Sequence, residues 1–345
     1  MIMKNKKPSV LIIYTGGTIG MIKDANTGEL KSFNFKHIYK HVPELNRLNV
    51  LIESISFEQP IDSSEMTPNH WVQMAQMVFD NYSNYDGFVI LHGSDTMAYG
   101  ASALSFMLQG LRKPVIFTGS QLPIGTIRTD GKENLITAIE IAADIDNSGM
   151  AIVQEVAVYF EYSLYRGNRS SKISANQFEA FTSPNFSELA VAGVTIEYNL
   201  DKLFRTKLTE LQFFPKLNTH VGLIKLYPGI PFKAYQNVFD INHTEALIIE
   251  TYGSGNAPSD STFRSLIENY INQGGIVLNI TQCSSGSVHQ GKYETSTYFN
   301  KVGVISGGNM TSEAALAKLM HTLGNFENRE ERIQKLTSAI CGEIG

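Results

Sequence analysis

Three short, continuously apolar runs, each ending in a turn rich in Gly, Ser, Thr and Asp, constrain the fold more than any other feature of the chain. Val10-Leu11-Ile12-Ile13-Tyr14 leads into Thr15-Gly16-Gly17-Thr18. Gly87-Phe88-Val89-Ile90-Leu91 leads into His92-Gly93-Ser94-Asp95-Thr96, and Val115-Ile116-Phe117-Thr118 into Gly119-Ser120-Gln121. A strand with one face in water alternates apolar and polar side chains. A run that does not alternate is buried on both faces, as in a parallel sheet covered by helices. Helical periodicity fills the intervals. Trp71, Met74, Ala75, Val78, Phe79 and Tyr82 follow Thr67-Pro68, an N-cap with a first-turn proline. Met97, Ala101, Leu104, Leu108 and Leu111 form a second stripe, and Asp130-Gly131-Lys132-Glu133 reads as a capping box for a helix ending at Ile145. The repetition of strand and helix means α/β architecture with right-handed crossovers.

The second half repeats the theme on a smaller scale, with strands expected over 221–226, 246–251, 275–280 and 302–305. A helix carrying Phe263, Leu266, Ile267, Tyr270 and Ile271 stops at Gly274. The stretch 191–220 shows no helical pattern and reads as the connection. A chain of 345 residues exceeds the usual size of one packed core. The expected organisation is a larger N-terminal α/β domain, 1–192, a linker, 193–215, and a smaller C-terminal α/β domain, 216–345. The tail 328–340, with Ile333, Leu336 and Ile340, reads as an amphipathic helix packing on the second domain.

Composition narrows the classes of function. Hydrophobic residues are 43%, charged residues 18% and the net charge is -5, with no long basic run, so a nucleic-acid partner is disfavoured. Two cysteines, Cys283 and Cys341, are too few for a disulfide framework and fit a reducing compartment. The basic start, residues 1–7, precedes an apolar run too short for a signal peptide, and no stretch has the length of a transmembrane helix. A cytoplasmic protein without a membrane partner is expected. His37 and His41 have i, i+4 spacing, but there is no intervening His-Glu-x-x-His pattern and no third ligand. They read as a solvated helix face, and no metal or organic cofactor is expected.

Ligands of open parallel sheets bind outside the carboxyl ends of the strands. A small-molecule site is therefore expected near Thr18, Ser94 and Asp95. Glycines beside Thr18 allow close backbone approach and expose N–H groups that can stabilise an oxyanion, although a tight turn with capping threonines accounts for the same residues. Ser94 and Asp95 serve equally as helix N-caps, and Asp95 is also a carboxylate partner for a substrate ammonium. Lys172, in Arg166-Gly167-Asn168-Arg169-Ser170-Ser171-Lys172, is a surface lysine by default. Burial beside Asp95 and a hydroxyl would make it a base.

Taken in order, Thr-Gly-Gly-Thr-Ile at 15–19, His-Gly-Ser-Asp-Thr-Met at 92–97, Thr-Gly-Ser-Gln-Leu-Pro at 118–123 and Arg-Gly-Asn-Arg-Ser-Ser-Lys at 166–172 resemble the bacterial L-asparaginase family. Asp62-Ser63-Ser64-Glu65-Met66-Thr67-Pro68, Tyr252-Gly253-Ser254-Gly255-Asn256 and Thr281-Gln282-Cys283 point to its cytoplasmic type I branch. The resemblance runs from about Val10 to the C-terminus. It implies a two-domain asparaginase-like fold and hydrolysis of L-asparagine to L-aspartate and ammonia through a threonine-linked β-aspartyl ester. Thr18 takes the place of the nucleophile, Ser94 that of a second catalytic hydroxyl, normally threonine, and Asp95 and Lys172 complete a proton relay. Gly17, Ser63, Ser64, Gly93, Ser94, Asp95 and Asn256 are the implied substrate contacts. Ser63 would take the α-carboxylate, Asp95 the α-amino group, and Asn256 would reach a neighbouring subunit's site. A homodimer or homotetramer with active sites at the subunit interface follows. The family's lid tyrosine is absent from 23–33, where Glu29 lies near its position. Some type I members carry a second, activating asparagine site, and Ser171 and Cys283 sit where one would form; a small buried cysteine explains Cys283 as well. The other expectations are a glutaminase-asparaginase of broader specificity and a non-catalytic amino-acid sensor. The amidase subunit of an archaeal transfer-RNA amidotransferase shares the fold but is expected to carry an additional N-terminal domain.

Overall fold

The computed structural model describes residues 7–23, 30–32, 42–291 and 294–345. The chain divides into two compact units, Met1–Pro215 and Lys216–Gly345.

The first unit is built on an eight-stranded sheet. Its strands are β1 (Ser9–Gly16), β2 (Leu51–Ile61), β3 (Gly87–Leu91), β4 (Val115–Thr118), β5 (Val156–Phe160), β6 (Ser163–Arg166), β7 (Ala190–Ala192) and β8 (Ile196–Tyr198). They lie in the order β8-β7-β6-β5-β4-β3-β1-β2. The five strands from β2 to β5 are parallel, and β6, β7 and β8 are added antiparallel. Among the described residues three helices accompany them: α1 (Pro68–Asn81), α2 (Met97–Met107) and α3 (Gly131–Ala143). Val10, Ile12, Val89, Leu91 and Ile116 pack with Leu135, Ala138 and Ile139 of α3 in one core. The alternate residues Leu11, Ile13, Phe88, Ile90 and Phe117 are also fully buried. Both faces are therefore covered, which is the physical reason the three runs do not alternate.

Three local expectations are corrected. Helix α2 ends at Met107, and Leu108–Gln109 is a short strand paired with Gln212–Phe213. Asp130 makes no side-chain cap on α3, which ends at Ala143; its carboxylate instead accepts from the Gln121 and Leu122 amides. Residues 196–198, expected within the linker, form β8 and pair with β7.

The second unit holds four parallel strands, β9 (Val221–Lys225), β10 (Ala246–Thr251), β11 (Ile276–Thr281) and β12 (Ile305–Ser306), in sequential order. Its helices are α4 (Ser261–Asn272), α5 (Glu294–Val302), α6 (Ser312–Asn325) and α7 (Arg329–Thr337). Two cores form. One packs Phe263, Ile267 and Tyr270 of α4 with Leu247 and Ile249, and the other packs Ala315 and Leu319 of α6 with Ile248 and Leu278. Helix α7 is capped by the Asn328 side chain, which accepts from the Glu330 and Glu331 amides, and it contributes buried Leu336 to the second core. A fully buried ion pair, Lys318 Nζ to Glu343 Oε1 at 2.6 Å, fastens the C-terminal segment to α6. Among the described residues no helix is long and apolar enough to cross a membrane.

Candidate active site

Strands β2, β1, β3, β4 and β5 stand in the doubly wound order 2-1-3-4-5, which places a topological switch point between β1 and β3. The turns leaving those two strands are pressed together. Gly17 has φ 83° and ψ 172°, a backbone region open essentially to glycine. A side-chain carbon there would lie 2.6 Å from both Cα and N of Gly93. A third turn joins from the end of β2, since a side-chain carbon on Gly93 would lie 2.5 Å from Ser63 Oγ. Glycine at 17 and 93 thus lets the two turns, which carry Thr18 and Ser94, pack backbone against backbone.

Each turn is tied down by its own hydrogen bonds. Thr18 opens a short 3-10 turn, Thr18–Gly20, with Ile19 buried beneath it. Thr18 is half-buried as a residue, and its hydroxyl makes no hydrogen bond among the described residues. Ser63 is buried, and its carbonyl accepts from the Thr96 hydroxyl at 2.7 Å. The neighbouring Ser64 is exposed, and both its amide and its hydroxyl donate to Asp62 Oδ1 at 2.8 Å. Those two bonds favour the charged carboxylate and hold Asp62 below the usual aspartate range.

Lys172 is brought to the β3 turn from 77 residues away. It sits on a two-residue strand, Ser171–Lys172, paired with Phe181–Thr182. Its Nζ donates to Ser94 Oγ at 2.8 Å and to Asp95 Oδ1 at 2.6 Å. The lysine side chain is 16% exposed and the aspartate 65%. The default of a surface lysine therefore fails: the amine is largely enclosed with a hydroxyl and a carboxylate as partners, and the carboxylate remains open to a ligand. The turn before Lys172 is anchored by buried cations. Arg166 pairs with Glu155 at 2.6 Å and stacks over Phe186 at 4.4 Å, and Arg169, 1% exposed, lies over the same ring.

Gln121 belongs to this constellation, although sequence reasoning assigned it no role. Its Oε1 accepts from Ser94 Oγ at 3.4 Å, and its Nε2 donates to Gln177 O at 2.9 Å. It thereby links the β3 turn to the segment that follows Lys172. Asp130 holds it in place through the Gln121 amide at 2.8 Å. Burial pushes the Asp130 carboxyl above its ordinary range. The signal available in sequence was the third strand-end turn, Thr118-Gly119-Ser120-Gln121.

The remaining candidates are distributed as follows. Asn256 lies in the second unit, closing a tight loop through paired backbone hydrogen bonds with Tyr252. Ser171, in the first unit, is half-buried. Cys283, in the second, is exposed, which corrects the expectation of a buried cysteine. Glu29, His37, His41 and most of the 23–33 lid lie outside the described residues. Among the described residues, no group of three or more His, Cys, Asp and Glu side chains could hold a metal ion.

Comparison with known proteins extends over the whole arrangement. Residues 9–204 match the asparaginase N-terminal domain, and residues 220–336 match the glutaminase/asparaginase C-terminal domain. The chain is 39% identical to L-asparaginase 1 of Escherichia coli (strain K12), over 98% of each chain. It is 36% identical to the 60 kDa lysophospholipase of Mus musculus, covering 97% of this chain and 62% of that one. The crystal structure of L-asparaginase I from Vibrio cholerae superposes with a TM-score of 0.89 at 39% identity, covering 99% of this chain and 100% of that one.

Proposed function

The chain belongs to the asparaginase family, and from that premise we propose that it hydrolyses L-asparagine to L-aspartate and ammonia, with Thr18 as nucleophile. The observation that carries the mechanism is the pair of hydrogen bonds from Lys172 Nζ to Ser94 Oγ and Asp95 Oδ1, beside the Gly17–Gly93 contact. Thr18 Oγ attacks the amide carbon and its proton is taken up. The carbonyl oxygen gains charge, which backbone N–H groups of the glycine-rich turns are able to stabilise. Collapse expels ammonia, protonated on nitrogen, and leaves a β-aspartyl ester on Thr18. Water then adds to that ester, gives up a proton and releases aspartate. Ser94 and Lys172 move the proton in each step, and Asp95 keeps the lysine oriented.

Substrate binding uses the same turns. Asp95, open to solvent on one side, takes the α-ammonium, and Ser63 takes the α-carboxylate. In this scheme Ser64 supports the site through Asp62, and Asn256 is supplied by a neighbouring subunit, so the working form is a homo-oligomer. A cytoplasmic setting suits a chain with two free cysteines.

The test is ammonia release from L-asparagine and from L-glutamine in parallel over a wide concentration range. Release from asparagine with little from glutamine is expected; comparable rates would indicate a glutaminase-asparaginase of broader specificity. Thr18→Ala is expected to abolish turnover with the fold intact, and Lys172→Met to be nearly inactive. Normal turnover by Thr18→Ala would remove the nucleophile assignment. Binding of asparagine by the wild-type protein without any ammonia release would favour a sensor.

A further inference from the structure

His92 takes no part in the chemistry described above, yet it is fully buried one residue before Gly93. Its Nδ1 lies 2.7 Å from Gly93 O. A carbonyl oxygen can only accept, so Nδ1 carries the proton and donates. The ring packs against Phe117, with centroids 5.8 Å apart. Its Nε2 has no hydrogen-bond partner among the described residues, so the bond to Gly93 O is its one directional anchor. That carbonyl belongs to the peptide joining Gly93 to Ser94. The peptide unit is planar and trans. Pinning its oxygen toward the core therefore fixes the plane of the unit and leaves the Ser94 N–H facing the opposite way. Gly93 has no side chain of its own to resist rotation and sits wedged between Gly17 and Ser63.

We infer that His92 is a positioning residue: its Nδ1–H clamps the Gly93 carbonyl and so sets Ser94 at hydrogen-bond distance from Lys172. Burial keeps the imidazole neutral, pushed down to about 4, so the donor pattern does not change over the pH range in which such a site works. The inference rests on the proposed relay for its catalytic consequence and on geometry alone for the clamp.

Two variants separate the clamp from simple packing. Asn places its amide nitrogen where His carries Nδ1, whereas Gln reaches the Nε2 position and leaves Gly93 O without its donor. His92→Gln is expected to lower kcat for asparagine by roughly 10- to 100-fold, the scale of a misplacement approaching 1 Å, with a smaller rise in KM, because Asp95 shares the displaced turn while its bond to Lys172 still restrains it. His92→Asn is expected to recover most of that loss. Crystal structures of the two free variants should show the Lys172–Ser94 bond kept in Asn and lost in Gln. Where Gln does not fold, His92→Leu serves as the donor-less variant of similar bulk. Equal activity of the Gln and Asn variants, or equal loss in both together with lowered melting temperature, would overturn the clamp and leave His92 a packing residue. An intact Lys172–Ser94 bond in the donor-less variant would overturn it as well. If the wild-type protein releases no ammonia while the Gln variant still loses that bond, asparaginase activity fails and the clamp stands.

Discussion

Replacing Gly17 by alanine tests the central geometric claim, that the Thr18 and Ser94 turns work because two backbones touch. The added carbon would lie 2.6 Å from Gly93 Cα and N and 3.0 Å from the His92 carbonyl carbon. Non-bonded carbons settle near 3.5–4.0 Å, so the turns must separate by about 1 Å. Flexible side-chain ends cannot absorb this, since the nearest atoms are backbone. The φ of 83° and ψ of 172° add a second cost of about 1–3 kcal/mol for a residue with a Cβ. Spread over the first unit, that cost lowers the melting temperature by roughly 2–12 °C. A shift of about 1 Å between nucleophile and relay costs about 100-fold in rate, or about 2.7 kcal/mol of transition-state stabilisation. Steady-state ammonia release from asparagine should therefore show kcat falling about 100-fold, with KM changing less, because Ser63 and Asp95 both lie on the far side of the contact from Thr18 and keep their positions relative to each other. Thermal unfolding followed by the fluorescence of Trp71, the chain's sole tryptophan, reports the same unit. A Gly17→Ala protein with kcat within threefold of wild type and an unchanged melting temperature would refute the reasoning.

Further predictions follow from the packing. Gly100 lies inside α2 where a side-chain carbon would sit 3.4–3.7 Å from its nearest neighbours, ordinary contact, so Gly100→Ala should stabilise the first unit by about 0.5–1 kcal/mol, read as a raised melting temperature by Trp71 fluorescence. Glu343→Gln should destabilise the second unit by about 3–5 kcal/mol in urea unfolding, because it leaves the Lys318 ammonium buried without its counter-charge, and adding Lys318→Met should return most of the loss. His92 and His321 are both held neutral by burial, pushed down from 6.5 to about 4, with Lys335 and Lys318 adding to the effect at His321. The unfolded chain binds their protons first as pH falls, so their contribution is full above about pH 6.5 and is lost between there and about pH 4, by about 3 kcal/mol for each residue; a melting temperature that stays flat across that window would contradict it.

Much of this was legible in the sequence, for identifiable reasons. Residues 10–14, 87–91 and 115–118 announced themselves because burial on both faces removes alternation, and the glycines that ended them marked where the strands hand over to the site. Thr18, Ser94 and Asp95 were locatable because strand ends are where ligands sit in such sheets. What escaped were features set by distant pairings. Asp130 looked like a cap because its local pattern fits one, but its carboxylate is captured by amides of a turn that only the folded sheet brings near. The hairpin of β7 and β8 was missed because three-residue strands carry too few positions for a period to emerge. Gln121 and His92 carry no distinctive spacing, and their roles rest on which carbonyl or hydroxyl faces them after folding. Whether Lys172 was solvated or enclosed likewise depended on a contact across 77 residues.

The division of labour between the units follows from strand order. In the first unit the chain runs from β1 outward to β2 and then returns past β1 to β3, so the connections leaving β1 and β3 depart in opposite directions. That divergence opens a crevice at the carboxyl ends, into which short polar turns can project without covering one another. In the second unit β9, β10, β11 and β12 follow one another in sequence, every crossover advances the same way, and the described strands contain no switch point. Its carboxyl edge carries turns too, including the loop that closes at Asn256. Those turns have no divergent pair to form a crevice of their own. Lys172, Ser94 and Asp95 meet at the first edge because topology leaves room there.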